Sequence, residues 1–309
     1  GKGLPFLGLT ALLNEEAMVS RRAFLSALPA LALPLPAMAA PQGFVDVKAF
    51  GAKGDGRTDD TAAIRAAHAT GKPVWYPRPP VFYRITGWVR VLADVSGDSA
   101  EVRCLGDGSI EKGIFYIQQN KAPITIQGMV LNGLYKGQTK GGQWSAGISL
   151  KGARRVTITR NVIRAPYGDC VYLGSLDAKI GCRNIRIVEN QLLDPRRCNV
   201  AVVCADTVLI QGNTIRKPNS FVGAVDLEPD GNGFDYVTRV QVIDNRVEVD
   251  GDFIVAAGNN GVMSEGVVVR GNRGRWQRLS YVTDSARLCR PVFADNKLEG
   301  PAAIAPRKK

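Results

Sequence analysis

Val208-Leu209-Ile210-Gln211-Gly212-Asn213-Thr214-Ile215 is one copy of a pattern that recurs through the second half of the chain. Two apolar residues stand two apart, an asparagine follows three places on, and a further apolar residue stands two beyond it. The pattern reappears as Val156-x-Ile158-x-x-Asn161-x-Ile163, Ile185-x-Ile187-x-x-Asn190-x-Leu192 and Val240-x-Val242-x-x-Asn245-x-Val247. It is weaker at Val267-x-Val269-x-x-Asn272 and at Val292-x-x-x-Asn296-x-Leu298, and Ile124-x-Ile126 leading to Asn132 reads as an earlier, irregular copy. Spacings between successive asparagines from Asn161 on are 29, 23, 32, 27 and 24 residues.

Alternation with period two means strands, and self-similarity with a period in the twenties means a stacked solenoid. Each copy has an apolar face too small to bury alone, whereas stacked copies bury one continuous core. Asparagine suits the corner because it tolerates left-handed backbone angles and its amide can bond to the asparagine of the next coil. A β-sandwich with evenly spaced turns leaves the constant asparagine offset unexplained. The expectation is an all-β chain, a right-handed parallel β-helix of about eight or more coils, with a short N-terminal capping α-helix.

Ahead of the repeat lies Val47-Lys48-Ala49-Phe50-Gly51-Ala52-Lys53-Gly54-Asp55-Gly56-Arg57-Thr58-Asp59-Asp60-Thr61-Ala62-Ala63-Ile64. Thr58 or Asp59 can cap a helix with Ala62, Ala63, Ala66 and Ala67 as its apolar face, ending at Gly71. Such a helix covers the open end of a solenoid. With Val74-Trp75-Tyr76-Pro77 and Tyr83-Arg84-Ile85, this stretch resembles the N-terminal cap of the pectate-lyase-like superfamily. That group includes family 28 glycoside hydrolases, rhamnogalacturonases, alginate epimerases and phage tailspike depolymerases. The resemblance runs over about residues 44–300 and speaks for fold, since its members differ widely in chemistry. Asp55, Asp59 and Asp60 are read as turn and cap residues rather than as metal or catalytic carboxylates.

Ser20-Arg21-Arg22-Ala23-Phe24-Leu25, the apolar run to Pro36 and Ala37-Met38-Ala39-Ala40 resemble a bacterial twin-arginine signal peptide. The run is short, and Pro29, Pro34 and Pro36 interrupt it, whereas a membrane span needs about 20 apolar residues. The expected organisation is an upstream extension over 1–17, a signal peptide over 18–39, a cap over 43–73, a β-helix over 74–300 and a basic tail over 301–309. Cleavage removes Lys2, Arg21 and Arg22 with Glu15 and Glu16, so the formal charge of +12 falls only to about +11. A strongly basic exported protein implies an extracytoplasmic acidic partner, periplasmic or secreted, with the twin-arginine machinery as a transient one. Nucleic acid and a retained membrane span are not expected. Export also makes the six cysteines potential disulfides, with Cys170–Cys198 and Cys182–Cys204 placed for cross-coil bridges or for stacked free thiols. One histidine, His68, falls on the cap helix and is read as structural, which excludes histidine-cluster metal sites.

After each asparagine corner comes another strand: Cys170–Leu173, Val200–Val203, Ala224–Glu228, Phe253–Ala256 and Tyr281–Thr283. The resemblance implies a substrate groove across this sheet. If Val225 and Leu227 point inward, Asp226 and Glu228 face solvent together, about 6.6 Å apart along the strand. Such a pair suits glycoside hydrolysis, one group as acid and the other as base or nucleophile. Glu228 is expected as the acid and Asp226 as its partner, because mutual repulsion raises one pKa. Coil stacking places Tyr172 beside Ala201 and then Asp226. Asp169, three residues off that line, is expected beyond direct partnership with Asp226, free to bind sugar hydroxyls or to pair with Arg197. Arg196 and Arg197 can clamp a uronate carboxylate, and Asp230 adds a further carboxylate for substrate.

No G-H-G segment of family 28 hydrolases and no D-P-H segment of alginate epimerases is present, so neither activity carries over. The expectation is an exported carbohydrate-active enzyme hydrolysing an acidic or mixed polysaccharide, without cofactor. Two alternatives stay open: a lyase using Arg164, Arg196, Arg197 or Lys217 as base with Ca²⁺ held by Asp226, Glu228 and Asp230, and a non-catalytic polysaccharide-binding or envelope protein.

Overall fold

The structure is a computed structural model that describes residues 39–105, 113–137, 142–218, 222–229, 234–256, 262–263, 266–282 and 291–299. Successive coils pair in parallel, and the chain forms a right-handed parallel β-helix with three faces. The first face carries the strands before each asparagine, such as Arg154–Thr159, Cys182–Val188 and Ala205–Gln211. The second carries the short strands after it, Val162–Arg164, Gln191–Leu193 and Thr214–Lys217. The third is a separate sheet of eight strands, among them Ile148–Lys151, Val171–Gly174, Val200–Val202, Val225–Leu227 and Asp252–Ala256.

Register follows the apolar pattern. Val156, Ile185, Val208 and Val240 stack in one inward column, and Ile158, Ile187, Ile210, Val242 and Val269 in the next. A one-residue slip would turn every one of these side chains outward, which is why the pairing holds across coils of unequal length. In the last copy the register differs from the sequence expectation. Phe293 pairs with Val269 and packs against the core, while Val292 points outward and is exposed.

At the corner, Asn161, Asn190, Asn213, Asn245, Asn272 and Asn296 form a continuous amide ladder. Each Nδ2 from Asn161 to Asn272 donates to the next Oδ1 at 2.8–3.1 Å. The residue that turns left-handed is the one before each asparagine: Arg160, Glu189, Gly212, Asp244, Gly271 and Asp295, with φ between +52° and +67°. The asparagine itself is placed to bond, not to bend. Asn132 is not a rung, because it stands in register with Arg164. Met129 takes the rung instead, its backbone N–H donating to Asn161 Oδ1 at 3.0 Å.

The capping helix spans Thr61–Ala69 and closes on Gly71, whose N–H donates to His68 O. Its buried side is Thr61, Ile64, Ala67 and His68, whereas Ala62 and Ala66 are exposed. Asp59 does serve the helix start, accepting from Thr61 N at 3.0 Å, but Thr58 belongs to the turn around Asp55. Asp60 turns its carboxylate away to hold Lys53 N and Gly54 N. His68 bonds through Nε2 to Tyr76 OH at 2.8 Å, and burial pushes its pKa down to about 3, so it stays neutral. The segments read from sequence as a signal peptide and a basic tail lie outside the described residues, apart from Ala39.

Candidate active site on the third sheet

Alternation along Val225–Leu227 puts Val225 and Leu227 in the core and turns Asp226 outward, in register with Ala201 and, one coil earlier, Tyr172. Outward does not mean solvated here. Asp226 is only 2% exposed. A second, small apolar cluster of Ala146, Tyr172, Cys198, Ala201 and Val203 lies on the outer side of this sheet. Cys198 Sγ donates to Asp226 Oδ2 at 3.7 Å, and Oδ1 has no hydrogen-bond partner among the described residues. Glu228, two residues on, is half-buried and hydrogen-bonds to Asp226.

Burial raises the pKa of Asp226 to about 8, helped by the neighbouring charges of Glu228 and Asp169 and opposed by Arg197. The raised value makes Asp226 the candidate acid of the pair, whereas the sequence reading gave that role to Glu228. Glu228 acts on Asp226 both by charge and by hydrogen bonding, so the two carboxyl groups lie within mutual reach.

Asp169 is fully buried, and its Oδ1 accepts from Cys198 N at 2.9 Å. It does not face the groove as a sugar ligand, and its charge does reach Asp226 despite the three-residue offset. Burial also raises the pKa of Asp169, with the charge of Arg197 working against it. Arg196 and Arg197 are half-buried on the bend before Val200–Val202, anchored by their N–H groups to Pro166 O and Gly168 O. Tyr172 is 6% exposed, its ring lying over Gly174, where a Cβ would come within 2.6 Å of it. Asp230 lies outside the described residues.

Trp144 and Lys151 join this region although the sequence reading passed over them, and Lys217, read only as a possible lyase base, joins it as well. Lys217 is 1% exposed, and burial lowers its pKa to about 8 while the charges of Cys198 and Asp169 oppose the fall. Its signal was readable, since it shares the inward parity of Ile215 on the same strand. Trp144 stands edge-on to Tyr172 at 5.8 Å and remains 45% exposed. Lys151 Nζ sits 5.1 Å from the Tyr172 ring centroid and 5.8 Å from that of Trp144.

The five described cysteines, Cys104, Cys170, Cys182, Cys198 and Cys204, are buried free thiols, which decides between the two arrangements open from sequence. Among the described residues no three His, Cys, Asp or Glu side chains converge as a metal site. A hollow of 380 Å³ lies on the first face, lined by Arg154, Arg183, Asp206 and Tyr236 among others. Its one carboxylate is ion-paired with Arg183 and Arg239 and held below the usual range, so it offers no comparable acid.

No family model matches the chain, and no curated protein does. Among solved structures it is similar to the pre-mature gene product 12 of bacteriophage phi29, at 16% identity and a TM-score of 0.60. That match covers 77% of this chain and 36% of the phage chain. An N-terminal fragment of the same phage protein matches at 16% identity and a TM-score of 0.50, covering 83% of this chain and 57% of the fragment. The A-module of the Azotobacter vinelandii mannuronan C-5 epimerase AlgE6 follows at 13% identity and a TM-score of 0.48, covering 85% and 100%. At such identities the likeness is one of fold.

Proposed function

We propose that the protein is a carbohydrate-active β-helix enzyme that hydrolyses glycosidic bonds of an acidic or mixed polysaccharide through Asp226 and Glu228. The observation that carries this reading is a carboxyl pair, Asp226 and Glu228, on the outer side of one solenoid sheet, with Asp226 buried and its pKa raised to about 8. Glycoside hydrolysis needs that division of labour: one carboxylic acid to protonate the leaving oxygen and one carboxylate as base or nucleophile. Asp226 is the proton donor, and Glu228, half-buried two residues on, is the partner carboxyl that acts as base or nucleophile. Arg196 and Arg197 supply positive charge beside the pair for a uronate carboxylate. The twin-arginine segment at Arg21-Arg22 supports a periplasmic or secreted site of action, which fractionation of an Arg21→Lys, Arg22→Lys double variant tests by its retention in the cytoplasm.

Incubation with a panel of acidic and neutral polysaccharides tests the chemistry. New reducing ends without absorbance near 235 nm are expected. Absorbance there means elimination, and binding without cleavage means a lectin-like or envelope role. Asp226→Asn and Glu228→Gln are each expected to lower turnover by about 100-fold or more. Full activity in both variants removes the pair from the mechanism.

A further inference from the structure

The outer side of the third sheet carries more than the carboxyl pair. In strict register, Arg90, Tyr116, Ser149, Tyr172, Ala201 and Asp226 form one row along the solenoid axis. Gln118, Lys151 and Gly174 begin a second row beside it, on the side where Glu228 follows Leu227. Aromatic rings occur in two edge-on pairs on the N-terminal side: Trp88 with Tyr116 at 5.8 Å, and Trp144 with Tyr172 at 5.8 Å. Each pair carries its own cation. The Arg65 guanidinium lies 5.2 Å from the Trp88 ring, and Lys151 lies against both rings of the second pair. A hollow of 280 Å³ between the capping helix and Trp88, lined also by Arg65, Arg90 and Leu92, ends the track.

We infer that this track from Trp88 to Tyr172 is a run of binding subsites for an anionic polysaccharide, gripping the chain on the N-terminal side of the carboxyl pair. The inference rests on the proposed hydrolysis only for its orientation, since binding along the track does not depend on cleavage. Coils repeat at ~4.8 Å, so the Arg90 row stands ~24 Å from Asp226, room for several sugar units of an extended chain. Ring faces cover the apolar C–H side of a sugar, and a lysine or arginine beside the ring meets its carboxylate. Ser149, Gly174 and Ala201 are buried between these groups, so the sugar chain rides on the solvent-reaching side chains Arg90, Trp88, Trp144 and Lys151. Trp144, the most exposed ring, offers its free face, and Tyr172 is fixed beneath it by the fit over Gly174.

Binding is read by titrating the full-length protein with oligogalacturonates and oligomannuronates of two and eight units, and with cello-oligosaccharides of the same lengths, following tryptophan fluorescence and heat. Trp144→Ala is expected to weaken binding of the eight-unit acidic chains about tenfold while leaving the two-unit ones unchanged. Lys151→Gln is expected to weaken acidic chains several-fold and neutral chains not at all. Both changes are at surface-reaching side chains, and a melting temperature equal to wild type separates lost binding from lost fold. Wild-type protein that binds none of the acidic chains, or a Trp144→Ala variant that binds the long ones as tightly as wild type, overturns the subsites. Fully active Asp226→Asn and Glu228→Gln variants would instead overturn the hydrolytic reading and leave this result standing.

Discussion

Asp226 is buried with one carboxylate oxygen lacking a partner among the described residues, which makes it a stability liability as well as a proton store. Its folded pKa of about 8 lies above the ordinary carboxylate value, so between about pH 4 and pH 8 the folded state binds the extra proton. Stability contributed by the protonated form is therefore complete at the acid end of that window and is lost as pH rises through about 8. Asp226→Asn, which cannot ionise, is expected to match wild type near pH 4 and to exceed it by a few kcal/mol at pH 9, read by denaturant unfolding at both pH values. Activity should fall on the basic side with an apparent pKa near 8, and a basic limb that stays flat to pH 9 would remove Asp226 as the proton donor. Parity along Ala224–Glu228 made the outward direction of Asp226 legible in the sequence. Its burial was not, because alternation says which way a side chain points and is silent on what covers it. Cys198 and Val203 come from another coil, at a separation only register reveals.

Among elements, the asparagine ladder is the clearest case of a pattern with a physical cause. Asn213 Oδ1 accepts from Asn190 N and Nδ2 at 2.9 and 3.1 Å, and its Nδ2 donates to Ile187 O and Asn245 Oδ1 at 2.8 and 3.0 Å. Asn213→Ala strands several buried backbone and amide groups at once, where water cannot replace the lost partner. A loss of about 2–4 kcal/mol is expected in urea unfolding, and a loss below about 1 kcal/mol would mean that the ladder only decorates the corner. Gly274 marks a different constraint. It occupies the core slot below Val247 with φ +140°, and a Cβ there would fall 1.8 Å from Val247 O. Gly274→Ala is expected to cost about 3 kcal/mol or more, because backbone, not a flexible side chain, stands in the way. The repeat and its strand parity were readable from sequence, as was the corner. Asn132 and Val292 were misplaced although the count is regular: Met129 stands three places after Ile126 and Phe293 three before Asn296, and only pairing with the neighbouring coil shows which residue fills each slot.

Over the whole molecule, the excess of 40 basic over 28 acidic residues sets a field, and salt separates its pull from the direct contacts proposed for cations such as Lys151. Many arginines are already neutralised in pairs on the outer faces, such as Arg216 with Asp194, Arg278 with Asp252 and Arg183 with Asp206. Lys151 on the third sheet and Arg65 on the capping helix are different, since they lie against aromatic rings. Composition showed the excess but not its placement, because a solenoid brings residues two dozen positions apart into one row while scattering sequence neighbours over three faces. If the field alone draws the substrate, raising salt from about 0.1 M to about 1 M, which shortens the screening length from ~10 Å to ~3 Å, should weaken the binding of acidic chains by the same factor in wild type and in Lys151→Gln. If the groove cations contact the chain, wild type should lose at least tenfold over that range and Lys151→Gln distinctly less, because one of the screened contacts is already gone. Neutral chains of equal length should show no salt dependence in either protein. The expected outcome is the unequal pair of slopes, and equal slopes would assign recognition to the overall charge and leave Lys151 as a packing partner of Trp144 and Tyr172.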